Sequence, residues 1–489
     1  MLSGPPLYRS ARTSAWFYLF AFVLAVFPLF VHLGSFPIQI WDESRLALNA
    51  QEMYFNHNFL VTYCYGSPEL WNTKPPLMIW AQVLSMKMFG INELAIRLPS
   101  AISGMLTVLL LMWFALRVFK NGWIGLIAIL FLITSVGFVG MHITRTGDYD
   151  AMMILFTTAY CLFWYLYLQE KKGKFIYYFF ITLTLAILTK SIAGVLFVPG
   201  IFIYTWMTER SLRIFFTRKV VIGSILSLLL ISTYYLIREW AAPGYLKAVW
   251  ENEIGGRYFS VIEYHQQKWD YFLQGLWEYF PEGIVMTLAG FIFFLRKKSN
   301  PFFRFGFYIL LISSLHLITI SCSQTKLIHY VSPEIPLLAL IGGLFVYQCI
   351  DFLLHRINKS AALYFGIVVG LLFILPYKNN MHAVIYPFDK KEQDFNQLAG
   401  MLSSAYHNQD TLLRNFVILH EGYEPQLDFY VNILTKEGFP IRWKYRRDLI
   451  SGEKVVVRSE ESRTDLQKYF HVQVLGDYGI VRLVKIQSD

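Results

Sequence analysis

Charge is scarce in this sequence. Only 16% of its 489 residues are charged, against roughly 25% in soluble domains. Much of the chain therefore faces something other than water. Cysteine is scarce as well, with four residues in all, too few to suggest a disulfide framework. Cys161 and Cys349 fall in apolar runs. Cys64 and Cys322 fall on one predicted side, where a pairing is open, and unpaired buried thiols are the simpler reading. Internal repeats and low-complexity tracts are absent. Basic and aromatic residues do not interleave, so a net charge of +10 gives no nucleic-acid platform.

Apolar residues are abundant. Hydrophobic residues make up 55% and aromatics 18% of the chain, and mean hydropathy is +0.43. Apolar runs near 15–36, 101–119, 123–140, 150–168, 175–189, 192–208, 219–238, 278–295, 303–321, 331–350 and 361–377 suit about eleven bilayer-spanning helices. The first is too long for a signal-peptide core and reads as a retained anchor. Basic clusters occupy alternate short connections, among them Arg9 and Arg12, Arg117 and Lys120, Lys171 to Lys174, Arg210 to Lys219, Arg296 to Arg304, and Arg356 with Lys359. This positive-inside pattern puts the N-terminus in the cytoplasm and everything after Tyr377 outside.

The expected fold class is an α-helical polytopic membrane protein with a C-terminal soluble α/β domain. Residues 1–377 form the membrane region, interrupted by a long first outer loop, 37–100. Within it, 41–55 and 76–90 carry apolar residues at helical spacing and read as interfacial helices, the second given a stiff start by Pro75-Pro76. A loop of this length is usually functional. Residues 378–489 are charged, lack a spanning run and carry no Gly-rich phosphate loop. They alternate helix-like stretches (391–406, 424–433, 463–470) with strand-like runs (Phe416–His420, Val455–Arg458, His471–Leu475, Gly479–Val484).

Ionisable groups near a membrane are functional candidates by default. On the predicted outer side the acids are Asp42, Glu43, Asp148 and Asp150, and the cations are Lys74, Arg145, Lys190, Arg257, Lys268 and Lys326, with His265 in the fourth loop. Carboxylates with cations suit a phosphate-bearing substrate and a hydroxyl acceptor. Cations neutralise the phosphate, and a carboxylate takes the proton of the attacking hydroxyl. Each residue also has a plainer reading. Asp42 is placed to cap a helix, and Asp148 and Asp150 sit where acids favour a helix start. Lys74, Lys190 and Lys326 suit snorkelling or headgroup contact. Glu43, Arg45 and Arg145 suit scaffold salt bridges, and a lone His265 a structural role.

In order along the chain come Trp41-Asp42-Glu43-Ser44-Arg45, Asn72-Thr73-Lys74-Pro75-Pro76, Arg97-Leu98-Pro99-Ser100, Arg145 to Asp150, Leu188-Thr189-Lys190, and Lys326-Leu327 with Tyr330. This ordered set resembles the GT-C glycosyltransferases, in particular the branch with the lipid A aminoarabinose transferase and the protein O-mannosyltransferases. The resemblance covers roughly residues 15–377. It implies an inverting transfer of sugar from a polyprenyl-phosphate donor, undecaprenyl in a bacterial inner membrane, to an acceptor outside: lipid A, a protein or a glycan. It implies Asp42 as the key catalytic acid and Asp150 as the second, with Asp148 its competitor. Lys74 and Tyr330 would contact the carrier phosphate, and Lys190 would line the cavity. The aminoarabinose branch also holds a metal on a glutamate just before its Lys-Pro-Pro and on a later histidine. Here Thr73 stands at the first position and His265 is a match for the second, so no metal ligand is assigned and a divalent ion is left open. The competing readings are a flippase of a lipid-linked sugar and a membrane scaffold. A flippase calls for polar residues deep in several spans and often repeat symmetry, and neither is visible.

Overall fold

The computed structural model describes residues 11–261, 265–295, 301–387, 390–408, 415–420, 422–458 and 460–487. Of the basic residues read above as cytoplasmic, Arg9, Arg296, Lys297 and Lys298 lie outside the described residues. The chain opens with α1 (Ala11–Phe30), α2 (Asp42–Asn56) and a short hairpin of β1 (Tyr63–Cys64) and β2 (Ser67–Pro68). There follow α3 (Leu77–Phe89), α4 (Glu93–Phe114), α5 (Gly122–Thr134), α6 (Asp150–Glu170), α7 (Lys174–Lys190), α8 (Val198–Glu209) and α9 (Arg218–Ala241). Next come α10 (Tyr245–Val249), α11 (Gly256–Phe259) and α12 (Tyr271–Tyr279), with a π segment between the first two. The helical region closes with α13 (Pro281–Leu295), α14 (Pro301–Ser321), α15 (Ile335–Arg356) and α16 (Lys359–Ile385).

A helix stands at each of the eleven apolar runs. Among the described residues, seven helical segments are long and apolar enough to cross a membrane: α4, α6, α7, α9, α14, α15 and α16, with their flanking π or 3-10 turns. Their burial differs with position. α6 is buried over most of its length, whereas α9 and α16 expose Leu, Ile and Val along their length. That pattern suits a central helix and a lipid-facing rim, since lipid tails solvate such side chains as well as a protein core does.

The first loop ends earlier than expected. α4 begins at Glu93, not near residue 101, because Asn92 caps it by accepting a hydrogen bond from the Ala95 amide and so satisfies an otherwise orphaned donor. The predicted loop helices are present as α2 and α3, and α3 starts directly after Pro75-Pro76. All four cysteines are free thiols.

The tail comprises α17 (Lys390–Asn408), β3 (Phe416–Leu419), α18 (Pro425–Lys436), β4 (Ile441–Lys444), β5 (Lys454–Val457), α19 (Glu460–Gln467), β6 (His471–Tyr478) and β7 (Val481–Gln487). Its five strands run in the order β4-β3-β5-β7-β6. β3 pairs in parallel with β4 and β5, and β7 is antiparallel to β5 and β6. Alternate residues of each strand face opposite sides. Phe416 and Ile418 therefore join the core under α17 and α18, while Val417 and Leu419 join the core with Leu466 of α19.

The tail is docked on the first loop. α18 packs on α2, and their apolar residues share one core. The Tyr430 hydroxyl donates to Glu93 Oε1 at 2.7 Å and accepts from the Ile38 amide at 2.9 Å. Gln51 donates to the Phe429 carbonyl at 2.9 Å, and Ser403 donates to Glu93 Oε1 at 2.6 Å. Removing this hydroxyl leaves the buried Ile38 amide unmet and takes one of two donors from Glu93 Oε1. Tyr430→Phe is therefore expected to cost about 1–3 kcal/mol and to raise the rate of limited proteolysis within the tail. A wild-type proteolysis rate would show that the hydroxyl does not hold the tail in place.

Candidate active site

One buried ion pair positions the site. Glu43, in the first turn of α2, is forked by Arg97 of α4 at 2.7 and 2.9 Å. Arg97 spends its remaining donors on the carbonyls of Leu33, Phe36 and Pro37 at 2.8 to 3.0 Å. Glu43 also accepts from the amides of Gln39 at 2.8 Å and Gly147 at 2.9 Å. Three chain segments are thus tied at one carboxylate. The third approaches so closely that a Cβ on Gly147 would lie 2.4 Å from Ile96 Cγ2.

That knot leaves Asp42 pointing elsewhere. Asp42 is the first helical residue of α2, preceded by Trp41 at φ +76°, and no side chain caps the helix. Its carboxylate keeps access to solvent while other groups crowd it. Burial pushes its carboxyl up, but Lys74, His142, His329 and Lys190 together hold it below the ordinary carboxylate range. Asp42 is therefore ionised at neutral pH.

His142 and Asp148 complete a cluster with Asp42 in which one ligand-type atom from each lies within 4.8 Å of the others. Asp148 is buried, at 2% exposure, and accepts a hydrogen bond from Thr146. Burial pushes its carboxyl up to about 7, with Asp42 and Glu43 adding to the rise against His142 and Thr146. His142 adopts φ +62°, an uncommon conformation for a residue with a side chain. Its ring stacks on His329 at 5.2 Å between centroids.

Lys190 closes the C-terminus of α7 and meets both oxygens of Asp150 at 2.7 Å. Its ammonium also lies 5.6 Å from the Tyr330 ring centroid. Lys74 lies 3.3 Å from Glu253 Oε1 and 5.7 Å from the Tyr149 ring centroid. Lys326 is buried and donates to the Ser323 carbonyl at 2.7 Å. Among the described residues it forms no ion pair. His265 joins the same segment, its carbonyl accepting from the Lys326 amide at 2.9 Å. Lys268 is exposed before α12. Arg257 lies in α11, and its side chain falls outside the described residues.

The structure thus brings Asp42 together with Asp148, and keeps Lys74, Lys190 and Tyr330 beside them. It separates the two competing acids: Asp148 stands beside Asp42, and Asp150 is paired to Lys190. Arg145 forms no salt bridge among the described residues. Its guanidinium binds the carbonyls of Pro28, Leu29 and Val31 at 2.7 to 3.2 Å, closing the end of α1 as cations do at helix C-termini. Arg45 forks Glu69 at 2.6 and 2.8 Å.

Three functional candidates were not singled out from sequence. His142 and His329 come from different loops, and only their stacking reveals them. Arg238 looks like a basic residue ending a span. It is fully buried, its Nε and one Nη have no hydrogen-bond partner among the described residues, and it packs on Tyr245, whose hydroxyl donates to the Thr73 carbonyl at 2.7 Å.

The metal site implied by the aminoarabinose branch does not fit these residues. Thr73 offers a hydroxyl where a carboxylate is needed. The carboxylate beside it, Glu253, is engaged by both Thr73 and Lys74 at 3.3 Å.

Residues 73–237 match the family described as dolichyl-phosphate-mannose-protein mannosyltransferase. The chain is 25% identical over 365 residues to the undecaprenyl phosphate-alpha-4-amino-4-deoxy-L-arabinose arabinosyl transferase 1 of Proteus mirabilis, covering 72% of this chain and 64% of that one. It is 28% identical over 219 residues to an uncharacterised protein of Aquifex aeolicus, covering 44% and 43%. The chain thus spans less than two thirds of the length of these curated relatives. Among solved structures, ArnT of Cupriavidus metallidurans bound to undecaprenyl phosphate superposes with a TM-score of 0.69 at 16% identity, over 97% of this chain and 98% of that one. The apo oligosaccharyltransferase of Archaeoglobus fulgidus superposes at 0.56 with 11% identity, over 88% and 64%. The chain has the membrane fold of these two solved structures.

Proposed function

We propose that this protein transfers a sugar from a polyprenyl-phosphate donor, undecaprenyl in a bacterial inner membrane, to a hydroxyl or phosphate of an acceptor outside the membrane. The observation that carries this reading is Asp42: a solvent-accessible carboxylate, kept ionised by Lys74, Lys190, His142 and His329. In a single displacement the acceptor oxygen attacks the anomeric carbon, the bond from that carbon to the phosphate oxygen breaks, and the configuration inverts. The phosphate leaves as an anion, so it needs charge neutralisation more than protonation. Asp42 takes the acceptor's proton as general base. Lys74, Lys326, Arg238 and Tyr330 hold the phosphate. Lys326 and Arg238 suit this because each is a buried cation with no carboxylate in contact among the described residues, and such a charge calls for an anion. Lys190, neutralised by Asp150, shapes the site beside Asp42.

In the same reading residues 1–377 are the membrane-embedded transferase and 378–489 an extracytoplasmic domain that covers one side of the first loop. The N-terminus is cytoplasmic in this reading, which the placement of the basic connections supports.

Mass spectrometry of lipids retained by the purified protein tests the proposal. A polyprenyl phosphate carrying a sugar is expected, its mass giving the sugar. Lys74→Ala is expected to weaken donor binding roughly 10- to 100-fold, the loss of one charge-assisted hydrogen bond. An unchanged donor affinity would remove Lys74 from the phosphate site. Retention of donor without transfer to any acceptor by the active protein would favour a transport role.

A further inference from the structure

Two ionisable side chains lie deep in the helical region and take no part in the chemistry proposed above. His316 of α14 and Glu334, the last residue of the 3-10 segment Ile328–Glu334, are 2% and 0% exposed. They share a hydrogen bond of 2.8 Å between Nδ1 and Oε1. Glu334 Oε2 is buried with no hydrogen-bond partner among the described residues. Leaving such an oxygen unmet costs stability, and an apolar pair of similar volume is often neutral or stabilising in its place. Stability alone therefore does not account for the pair. Ionisable groups inside a membrane region are functional candidates by default.

The neighbours of the pair form a closed circuit. The segment that Glu334 ends also carries Tyr330, and Lys326 lies just before it. Pro333 stands inside that segment and removes an amide donor, so backbone hydrogen bonds alone do not fix it. On its other side the His316 ring lies flat on Phe197, with centroids 4.3 Å apart and planes 6° apart. Phe197 lies just beyond the 3-10 turn Ser191–Val195, which begins directly after Lys190. Ser191 has φ +50°, so the chain breaks sharply from α7 there. Lys190 returns to Tyr330, its ammonium 5.6 Å from the ring centroid. The circuit thus runs from Tyr330 through Glu334, His316 and Phe197 to Lys190 and back. Apolar packing tolerates small slides, whereas a hydrogen bond weakens steeply with distance and angle.

We infer that His316 and Glu334 are positioning residues for the donor-phosphate site: their hydrogen bond sets the register of the segment carrying Lys326 and Tyr330 against the one carrying Lys190. The inference rests on the transferase reading, in which Lys326 and Tyr330 hold the phosphate. Neither His316 nor Glu334 need touch the lipid. A misplacement of about 1 Å is enough to cost on the order of 10²-fold in a positioned interaction.

Affinity for undecaprenyl phosphate, and for undecaprenol, which lacks the phosphate, is measured on the full-length protein in detergent. The ratio of the two isolates the phosphate contact. The wild type is expected to prefer the phosphate. The double variant His316→Phe/Glu334→Leu keeps a ring on Phe197 and removes both ionisable groups. Its preference is expected to fall by about 10-fold or more, with affinity for undecaprenol unchanged. Glu334→Gln keeps a hydrogen bond to Nδ1 and is expected to retain most of the preference. Each variant is first checked for a monodisperse elution profile, and Glu334→Met replaces the double variant if the latter misfolds. Full preference in the double variant would overturn the inference. So would an equal loss of affinity for both lipids, the mark of a merely structural pair, or a Glu334→Gln protein as impaired as the double variant. A wild type with no preference for the phosphate would instead overturn the donor reading, and the inference with it.

Discussion

Asp42→Asn is expected to fold, to bind donor and to lose transfer by about 10²- to 10⁴-fold, the range for removal of a positioned general base. Folding is preserved because the Asp42 carboxylate caps nothing; the neighbouring Glu43 carries the structural load of that turn. Donor binding is preserved because the lost charge is negative and the phosphate is held by cations. Asparagine keeps the shape and one oxygen but cannot accept the proton. Turnover per bound donor, measured with saturating acceptor, separates the two effects. A variant with near wild-type turnover would show that Asp42 is not the base.

Arg97→Ala is expected to lower stability by about 3–5 kcal/mol, the usual result of stripping one partner from a buried ion pair. That is a large part of the roughly 5–15 kcal/mol that holds an ordinary fold together, so most of the variant should be lost during extraction. Every donor of the guanidinium is used: two on Glu43 and three on carbonyls that end the stretch after α1. Lysine cannot reproduce a planar fork of five donors, so Arg97→Lys should rescue little. Thermal unfolding in detergent decides it. An Arg97→Lys protein with the wild-type midpoint would mean that charge alone, not the fork, secures the first loop.

Arg97 also shows where a sequence stops being readable. Its segment reads as loop because a guanidinium ordinarily avoids the apolar length of a membrane span. The residue lies inside α4 because Glu43 and three carbonyls, 54 to 64 residues away in sequence, satisfy it. The apolar runs were legible for the opposite reason: a long helix needs no partner to announce its hydrophobic length. Likewise, most tail strands show as β-branched clusters, whereas Ile441-Arg442-Trp443-Lys444 is an edge strand, half polar, and gives little signal. At the site, the ordered short motifs pointed to Asp42, Lys74, Lys190 and Tyr330. His142, His329 and Arg238 did not declare themselves. The first two matter through a stacking between loops, and the third through burial that no local pattern encodes.

Tyr430 reaches from α18 to both ends of the stretch that carries Asp42, touching Ile38 before it and Glu93 beyond the first loop. The tail is therefore no interchangeable cassette. A chimera that joined this helical region to the tail of a distant relative would bring foreign side chains against Ile38, Gln51 and Glu93 at once. Recombination between lineages should then preserve the pair of first loop and tail together, even where the spans between them diverge freely.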